Sequence, residues 1–379
     1  MHAAKILFLG EATGFAGGIE RYAFQTAQLL RRHNFQVDWC GKTPAWEEAA
    51  FRRGFDTMLA PEAVRADYAL AALHKLPPPE MLRRWRKLFG ERLIFWAHDH
   101  DLYCPRHHYY TPFGRVNCRR AYSPLRCALC ARIASPRSRR FLRRGQSELL
   151  RELRAHRAVV LSDFMRDNLC RNGFAPGLVR KIPPVIPVAA ELAPPETPGS
   201  DAPLKILFLG QLVRGKGADL LLDALALAKF PWQLRLVGDG PDRAMLEKRV
   251  RRAGWSSQVA LPGWRTDPEP ELAACDAAVF PSRWQEPFGL SGAEAAAHGK
   301  PVVAFDTGGV REWLEDGRNG FLAPPGDAAA LAAKLALLQR DPALRRQMGA
   351  EGRLLARERF ADECFLKHFQ ALLEGGAVR

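Results

Sequence analysis

No apolar run in this 379-residue chain approaches the roughly 20 residues that a membrane-spanning helix needs. The opening MHAAKILFLG lacks the hydrophobic length and the small-residue cleavage site of a secretory signal, so a cytoplasmic location is expected. Also missing is a G-x-G-x-x-G fingerprint after the first strand-like segment of either half. The corresponding stretches read GEATGFAGG and GQLVRGKG, which disfavours a nicotinamide enzyme. Acidic residues are scarce in one place: Leu102 to Arg157 holds 14 arginines against only Glu148 and Glu152. The net charge of +15 sits entirely in the first half, where residues 1–190 carry 32 Lys and Arg against 16 Asp and Glu. Residues 191–379 are balanced at 24 against 25. A field of that kind calls for an anionic partner such as lipid headgroups, a phosphorylated substrate or nucleic acid. The arginines come with none of the recognised nucleic-acid motifs, so nucleic acid is not the expected partner.

What is present is a repeated hexapeptide. KILFLG occurs at residues 5–10 and again at 205–210. A continuous apolar run closed by glycine reads as a strand buried on both faces, each copy the first strand of its own parallel sheet. The length agrees, since single cores stop growing near about 250–300 residues. In the second half QLRLVGD, QVALPG, AAVFPS, VVAFD and FLAP read as strands with helical segments between them. FQVDWC, RLIFWAHD and AVVLSD do so in the first, with GGIERYAFQTAQLLRRH as its first helix. The proline-rich stretch from Pro183 to Pro203 cannot continue a helix or an inner strand. The expected plan is a first domain over 1–190 with a basic, cysteine-containing insertion near 102–157, a linker over 191–203 and a second domain over 204–358. A helix over 359–379 would pack back on the first domain. Two doubly wound sheets facing each other would place one ligand site in the cleft between them, at the carboxyl ends of their strands.

The segment FPSRWQEPFGLSGAEAAAHGK from Phe280 carries the most chemistry. Pro287 and Gly289 shape a loop, Ser291 is expected to open a helix, and amides around Gly289, Leu290 and Ser291 would form a phosphate cradle at its N-terminus. Glu286 and Glu294 flank it, able to accept hydrogen bonds from sugar hydroxyls. The same Ser291-to-Glu294 spacing is also a plain capping box. Read in order, GGIERY, the pair His98-Asp99, SDFM, GQLVRGKG, VGDGP, FPS and the E-x7-E segment resemble glycosyltransferase family 4, the retaining enzymes of the two-domain GT-B fold.

That resemblance implies an α/β fold of two Rossmann-like domains and a nucleotide-diphosphate sugar, UDP- or GDP-linked, as donor. It implies a glycan or lipid-linked acceptor held by the first domain, as in cell-surface polysaccharide or lipopolysaccharide assembly. Glu294 would hold the ribose hydroxyls and Glu286 the transferred sugar. Amides of Phe288, Gly289 and Leu290 would meet the sugar and diphosphate, and Lys216 would offset charge growing on the leaving group. The family usually has arginine where Gln211 stands, and Arg214 is close enough in the loop to replace it. Gly17 and Gly18 would face the donor phosphates and His98 the donor sugar. In the front-face mechanism of the family no protein nucleophile is needed, because the departing phosphate takes the acceptor's proton, and no metal cofactor takes part. Asp99-His100-Asp101 imitates a metal-binding D-x-D, discounted because that motif belongs to a different domain plan.

Two further expectations attach to the basic insertion. Cys104, Cys118, Cys127 and Cys130 could hold a structural zinc or remain free thiols. RSRRFLRRGQSELLRELRAHR, from Arg137, interleaves apolar and basic residues at helical spacing, which suits an anionic membrane surface or a solvated helix face. The competing functions are a GT-B-like nucleotide-sugar epimerase or phosphorylase and, from another class, a zinc-knuckle nucleic-acid-binding protein.

Overall fold

The first KILFLG segment is β1 (Lys5–Leu9), whose Ile6, Leu7, Phe8 and Leu9 are at most 1% exposed. It lies inside a parallel sheet with β2 (Gln36–Cys40), β3 (Thr57–Leu59), β4 (Leu70–Leu73), β5 (Leu93–Ala97), β6 (Ala158–Val160) and β7 (Val179–Lys181). Their order is β3-β2-β1-β4-β5-β6-β7. The second copy lies in β8 (Leu204–Leu209), which shares a parallel sheet with β9 (Trp232–Val237), β10 (Val259–Gly263), β11 (Ala277–Phe280), β12 (Val302–Phe305) and β13 (Gly320–Ala323). The order there is β10-β9-β8-β11-β12-β13. In each sheet the hexapeptide strand sits where the strand order reverses, between β2 and β4 or between β9 and β11. Such switch points open a crevice beyond the strands' carboxyl ends. This is a computed structural model, and it describes residues 4–110, 117–133, 145–188 and 202–375.

Three strands of the first sheet escape the sequence reading. β3 and β7 have three residues each, and β4 is the alanine-rich LAAL, so none presents a long β-branched run. β4 is nonetheless buried along its whole length between β1 and β5.

The chain divides into two compact units, Met1–Val185 with Asp362–Arg379, and Ile186–Ala361. Residue 358, where the second domain was expected to stop, falls inside the helix Pro342–Phe360, and the break comes at Ala361. Most of the expected linker, 191–201, lies outside the described residues, whereas Val185 and Ile186 just before it are buried. The helix Asp362–Leu373 buries Phe365, Phe369 and Leu372, and Phe369 meets Phe35 edge-on at 5.8 Å. Arg157 and Arg180 donate to its final carbonyls, of Leu372 at 3.0 Å and Ala371 at 3.2 Å, where the helix end is electronegative.

The basic amphipathic helix requires a correction. Residues 137–144 lie outside the described ones, but Gln146–Leu153 is a helix whose Leu149, Leu150 and Leu153 are buried in the core of the first unit. Its apolar face covers protein, so this half of the segment has no apolar face left for a lipid surface. No helix among the described residues is long and apolar enough to cross a membrane.

Candidate active site

In the second unit, β8 leads into the loop Gln211–Gly217, which lies directly against the segment that follows β11. Arg283 donates its amide to the Gly215 carbonyl at 2.8 Å, and a Cβ on Gly215 would fall 1.5 Å from the Trp284 indole. Gly217 adopts φ 78° and caps the helix Ala218–Ala226. This close approach holds Lys216 beside Glu286: Nζ lies 2.7 Å from Oε1 and 5.9 Å from the centroids of both Phe280 and Trp284. Ser282, at 1% exposure, donates to the same Oε1 at 2.6 Å. Gly309 donates to the Glu286 carbonyl at 2.8 Å, so backbone and side chain are both fixed. Oε2 takes no bond from the described residues and is not sealed from the surface. One carboxylate oxygen is thus consumed by the protein, and the other is presented.

The helix after this loop begins differently from the sequence expectation. Its span is Leu290–Ala297, its N-cap is Gly289 at φ 92°, ψ 56°, and no side chain caps it. Ser291 is inside the helix and does not open it, so the capping-box reading fails. The left-handed conformation explains why glycine stands there, since a Cβ would also press on the Phe280 ring at 3.0 Å. Without a side-chain cap, the first-turn amides at Leu290 and Ser291 have no intrahelical acceptor and remain available to an anion. Phe288 is buried, and its carbonyl accepts from Trp313 Nε1 at 2.7 Å. Glu294 lies further along the helix at 5% exposure. Arg214 is exposed in the same loop as Lys216, with Gln211 exposed before it. Arg283, by contrast, is committed to Asp219 through two bonds of 2.5 and 2.8 Å.

In the first unit, Gly17 precedes the helix Gly18–Arg32, also without a side-chain cap. Tyr22 on this helix touches the His98 ring, with centroids 4.8 Å apart, which ties the helix that the glycine pair opens to His98. His98 follows β5, and its Nε2 lies 2.7 Å from His74 Nδ1. Burial pushes the His98 imidazole down to about 3, with help from the Lys75 ammonium, and it is neutral at physiological pH. Asp99 and Asp101 both bind Lys75, at 3.0 and 2.7 Å, and His107 bonds Asp101. Burial works against charge on Asp101, but its bonds to His107 and Lys75 outweigh this and hold the carboxyl well below the usual range. Beside this network opens a cavity of about 1130 Å³ at the carboxyl ends of β1 and β2, lined in part by Glu11, Lys42, Lys75, Glu80, Asp101 and His107.

His74, Lys75 and Ser282 were missed from sequence. Their signal was positional: His74 and Lys75 follow β4, which was itself unrecognised, and Ser282 follows β11 directly. As for the cysteines, Cys104 is buried, and burial pushes its thiol up to about 12, with Cys118 and Cys130 close enough to add to the effect. Cys118 also acts on Cys127 and Cys130. Yet among the described residues no three or more His, Cys, Asp or Glu side chains are gathered as a metal-ligand set.

The pattern of two parallel sheets, each with a glycine-shaped helix start at its switch point, has a counterpart among known proteins. A family model described as Glycosyltransferase Family 4 matches residues 16–190, and one described as Glycosyl transferases group 1 matches residues 193–355. The chain belongs to glycosyltransferase family 4. The lipopolysaccharide core biosynthesis glycosyltransferase LpsE of Rhizobium meliloti is 33% identical over 186 residues, which are 49% of this chain and 54% of that protein. LpsD of the same organism is 32% identical over 174 residues, 46% of this chain and 50% of that one. The chain thus spans about half the length of these curated relatives. The structure of Anabaena Alr3699/HepE in complex with UDP and glucose superposes with a TM-score of 0.76 at 20% identity, covering 98% of this chain and all of that one. This likeness shows the GT-B fold.

Proposed function

We propose that this protein transfers a sugar from a nucleotide-diphosphate sugar to a glycan or lipid-linked acceptor, with retention of configuration, in lipopolysaccharide or polysaccharide assembly. The observation that carries the proposal is the pinned Lys216–Glu286 pair next to the uncapped helix start at Gly289. Diphosphate oxygens are met by the Leu290 and Ser291 amides and by Lys216, with Arg214 standing in for the arginine absent at Gln211. Glu294 takes the ribose hydroxyls, and Glu286 accepts from the sugar through its free Oε2. As the bond between the anomeric carbon and the diphosphate breaks, Lys216 and the helix start stabilise the charge growing on the departing nucleoside diphosphate, whose distal phosphate takes the proton of the acceptor hydroxyl while that oxygen bonds the anomeric carbon. No step runs through a metal. The acceptor occupies the cavity beside Lys75 in the first unit, with His98 and the Gly17-Gly18 helix start nearby. Two R. meliloti relatives named for lipopolysaccharide core biosynthesis, and a fold neighbour solved with UDP and glucose, support the reading.

The protein works at the cytoplasmic face of the membrane, drawn there by the positive first unit. A structural zinc on Cys104, Cys118, Cys127 and Cys130 is a separate proposal, tested by elemental analysis of the purified protein: one zinc lost on replacing Cys127 supports it, and no zinc overturns it.

The function is tested by thermal stabilisation against UDP, GDP and their sugars, because a ligand that binds only the folded state raises the melting temperature. One nucleotide should stabilise at concentrations well above its Kd, and Glu294→Ala should abolish the shift. An undiminished shift in that variant removes the ribose assignment. No shift with any nucleotide removes the donor site.

A further inference from the structure

β4 and β5 are parallel neighbours, with Leu73 opposite Phe95. The chain therefore leaves both strands at the same edge of the sheet, and the residue after each is a histidine. His74 Nδ1 lies 2.7 Å from His98 Nε2, with ring centroids 5.0 Å apart and planes 17° from parallel. Two ring radii plus the N···N distance account for the centroid separation, so the bond runs head-on, close to the plane of both rings.

The two rings have different surroundings. His74 is 2% exposed and packed among Phe8, Tyr22, Trp39 and Trp96, and its Nε2 has no hydrogen-bond partner. His98 is only partly buried. Its Nδ1 bonds nothing in the described protein and is not sealed from the surface. Burial keeps both rings neutral, and the Lys75 ammonium adds to this at His98.

Two neutral imidazoles sharing one hydrogen bond have two arrangements. If His98 donates from Nε2, His74 must carry its own proton on the buried Nε2, where no acceptor waits. If His74 donates from Nδ1, its buried Nε2 is a bare lone pair. An orphaned buried N–H is the rarer defect in folded proteins. The nitrogen that makes the bond sets the tautomer of the other. We propose that His74 is a positioning residue that donates through Nδ1 to His98 Nε2, so that His98 is locked with its proton on Nδ1 and meets substrate as a neutral hydrogen-bond donor.

The inference rests on the sugar-transfer reading only for the identity of what His98 meets, an oxygen of the donor or acceptor sugar. A locked donor orients that oxygen and cannot take a proton from a hydroxyl, which leaves proton acceptance to the departing phosphate. It also favours sugars with an oxygen at that position over deoxy analogues, because the analogue leaves the N–H without an acceptor.

The test uses full-length protein with ¹⁵N-labelled histidine and long-range ¹H–¹⁵N correlation, without substrate. His98 should appear as the neutral Nδ1–H tautomer from pH 5 to pH 8. His74→Phe keeps the volume, removes the donor, and should release His98 into a tautomer mixture. Transfer kcat should then fall about tenfold, as loss of one neutral hydrogen bond implies, with the donor KM little changed. His74→Asn places an amide N–H near the lost Nδ1 and should restore both the tautomer and most of kcat. An Nε2–H signal for His98 in the unsubstituted protein, or titration near the ordinary histidine value, overturns the proposal. So does an unchanged tautomer in His74→Phe. Because the tautomer is read without substrate, a correct tautomer in a protein that transfers no sugar overturns the proposed function and leaves the histidine pair standing.

Discussion

Glu286 presents two oxygens in different circumstances, one taken by Lys216 and Ser282 and the other open. The Ser282 hydroxyl at 2.6 Å therefore joins Lys216 at 2.7 Å in fixing which way the carboxylate faces. Ser282→Ala should leave the Lys216 pair intact but allow the carboxylate to rotate. Steady-state kinetics should show kcat/KM for the donor falling about ten- to hundredfold, the worth of one hydrogen bond to a charged group, with little change in melting temperature. An unchanged kcat/KM would mean that Lys216 alone positions Glu286. At this scale the sequence was legible where a motif repeats a spacing, as at Glu286, Gly289 and Glu294. It was not legible at Ser282 or His74, whose importance comes from neighbours far along the chain: His98 is 24 residues from His74. The role of Ser291 was misread because a capping box and a glycine-capped start share one local pattern, and only the backbone angles of Gly289 separate them.

Among the elements, the helix Gln146–Leu153 shows how charge can disguise burial. The arginines of the surrounding segment suggested a surface device, yet Leu149, Leu150 and Leu153 are at most 2% exposed, and Gln146 donates to the carbonyls of Asp101 and Leu102 at 2.6 and 2.7 Å. The helix thus buttresses the loop that carries Asp101. Leu150→Ala should destabilise the first unit by about 2–5 kcal/mol, measured by urea unfolding, since a cavity is left in packed surroundings. A cost below about 0.5 kcal/mol, the usual range of surface substitutions, would return the helix to the exterior. All six strands of the second sheet were readable: β11, β12 and β13 are runs of buried apolar residues, β8 is nearly so, and β9 and β10 are short apolar-rich segments that end at glycine. LAAL of β4 was not, because alanine and leucine serve helices equally well and only pairing with β1 and β5 makes a strand of them.

For the molecule as a whole, the uneven charge and the buried histidines each lead to a measurement. The excess of 32 basic over 16 acidic residues in 1–190 should bring the protein down with vesicles containing anionic lipid and not with neutral ones, an effect lost at high salt. Equal sedimentation with both would remove the membrane partner. His74 and His98 are held below their ordinary values, so below about pH 6.5 the unfolded chain binds protons that the folded chain refuses. Their contribution to stability is complete above about pH 6.5 and declines as pH falls, for His98 down to about 3, at up to about 1.4 kcal/mol per unit for each ring. Urea midpoints at pH 5 and pH 7 should therefore differ more in the unsubstituted protein than in His74→Phe; equal differences would mean that His74 titrates alike in both states.

The helix Asp362–Leu373 completes the hydrophobic interior of a unit whose strands all lie before residue 186. On the ribosome, that first unit must wait while the intervening residues are synthesised, its seat for Phe365 and Phe369 standing open. Translation order thus leaves that apolar seat uncovered for longer than the rest of the first unit's core, an interval in which it is open to misassembly.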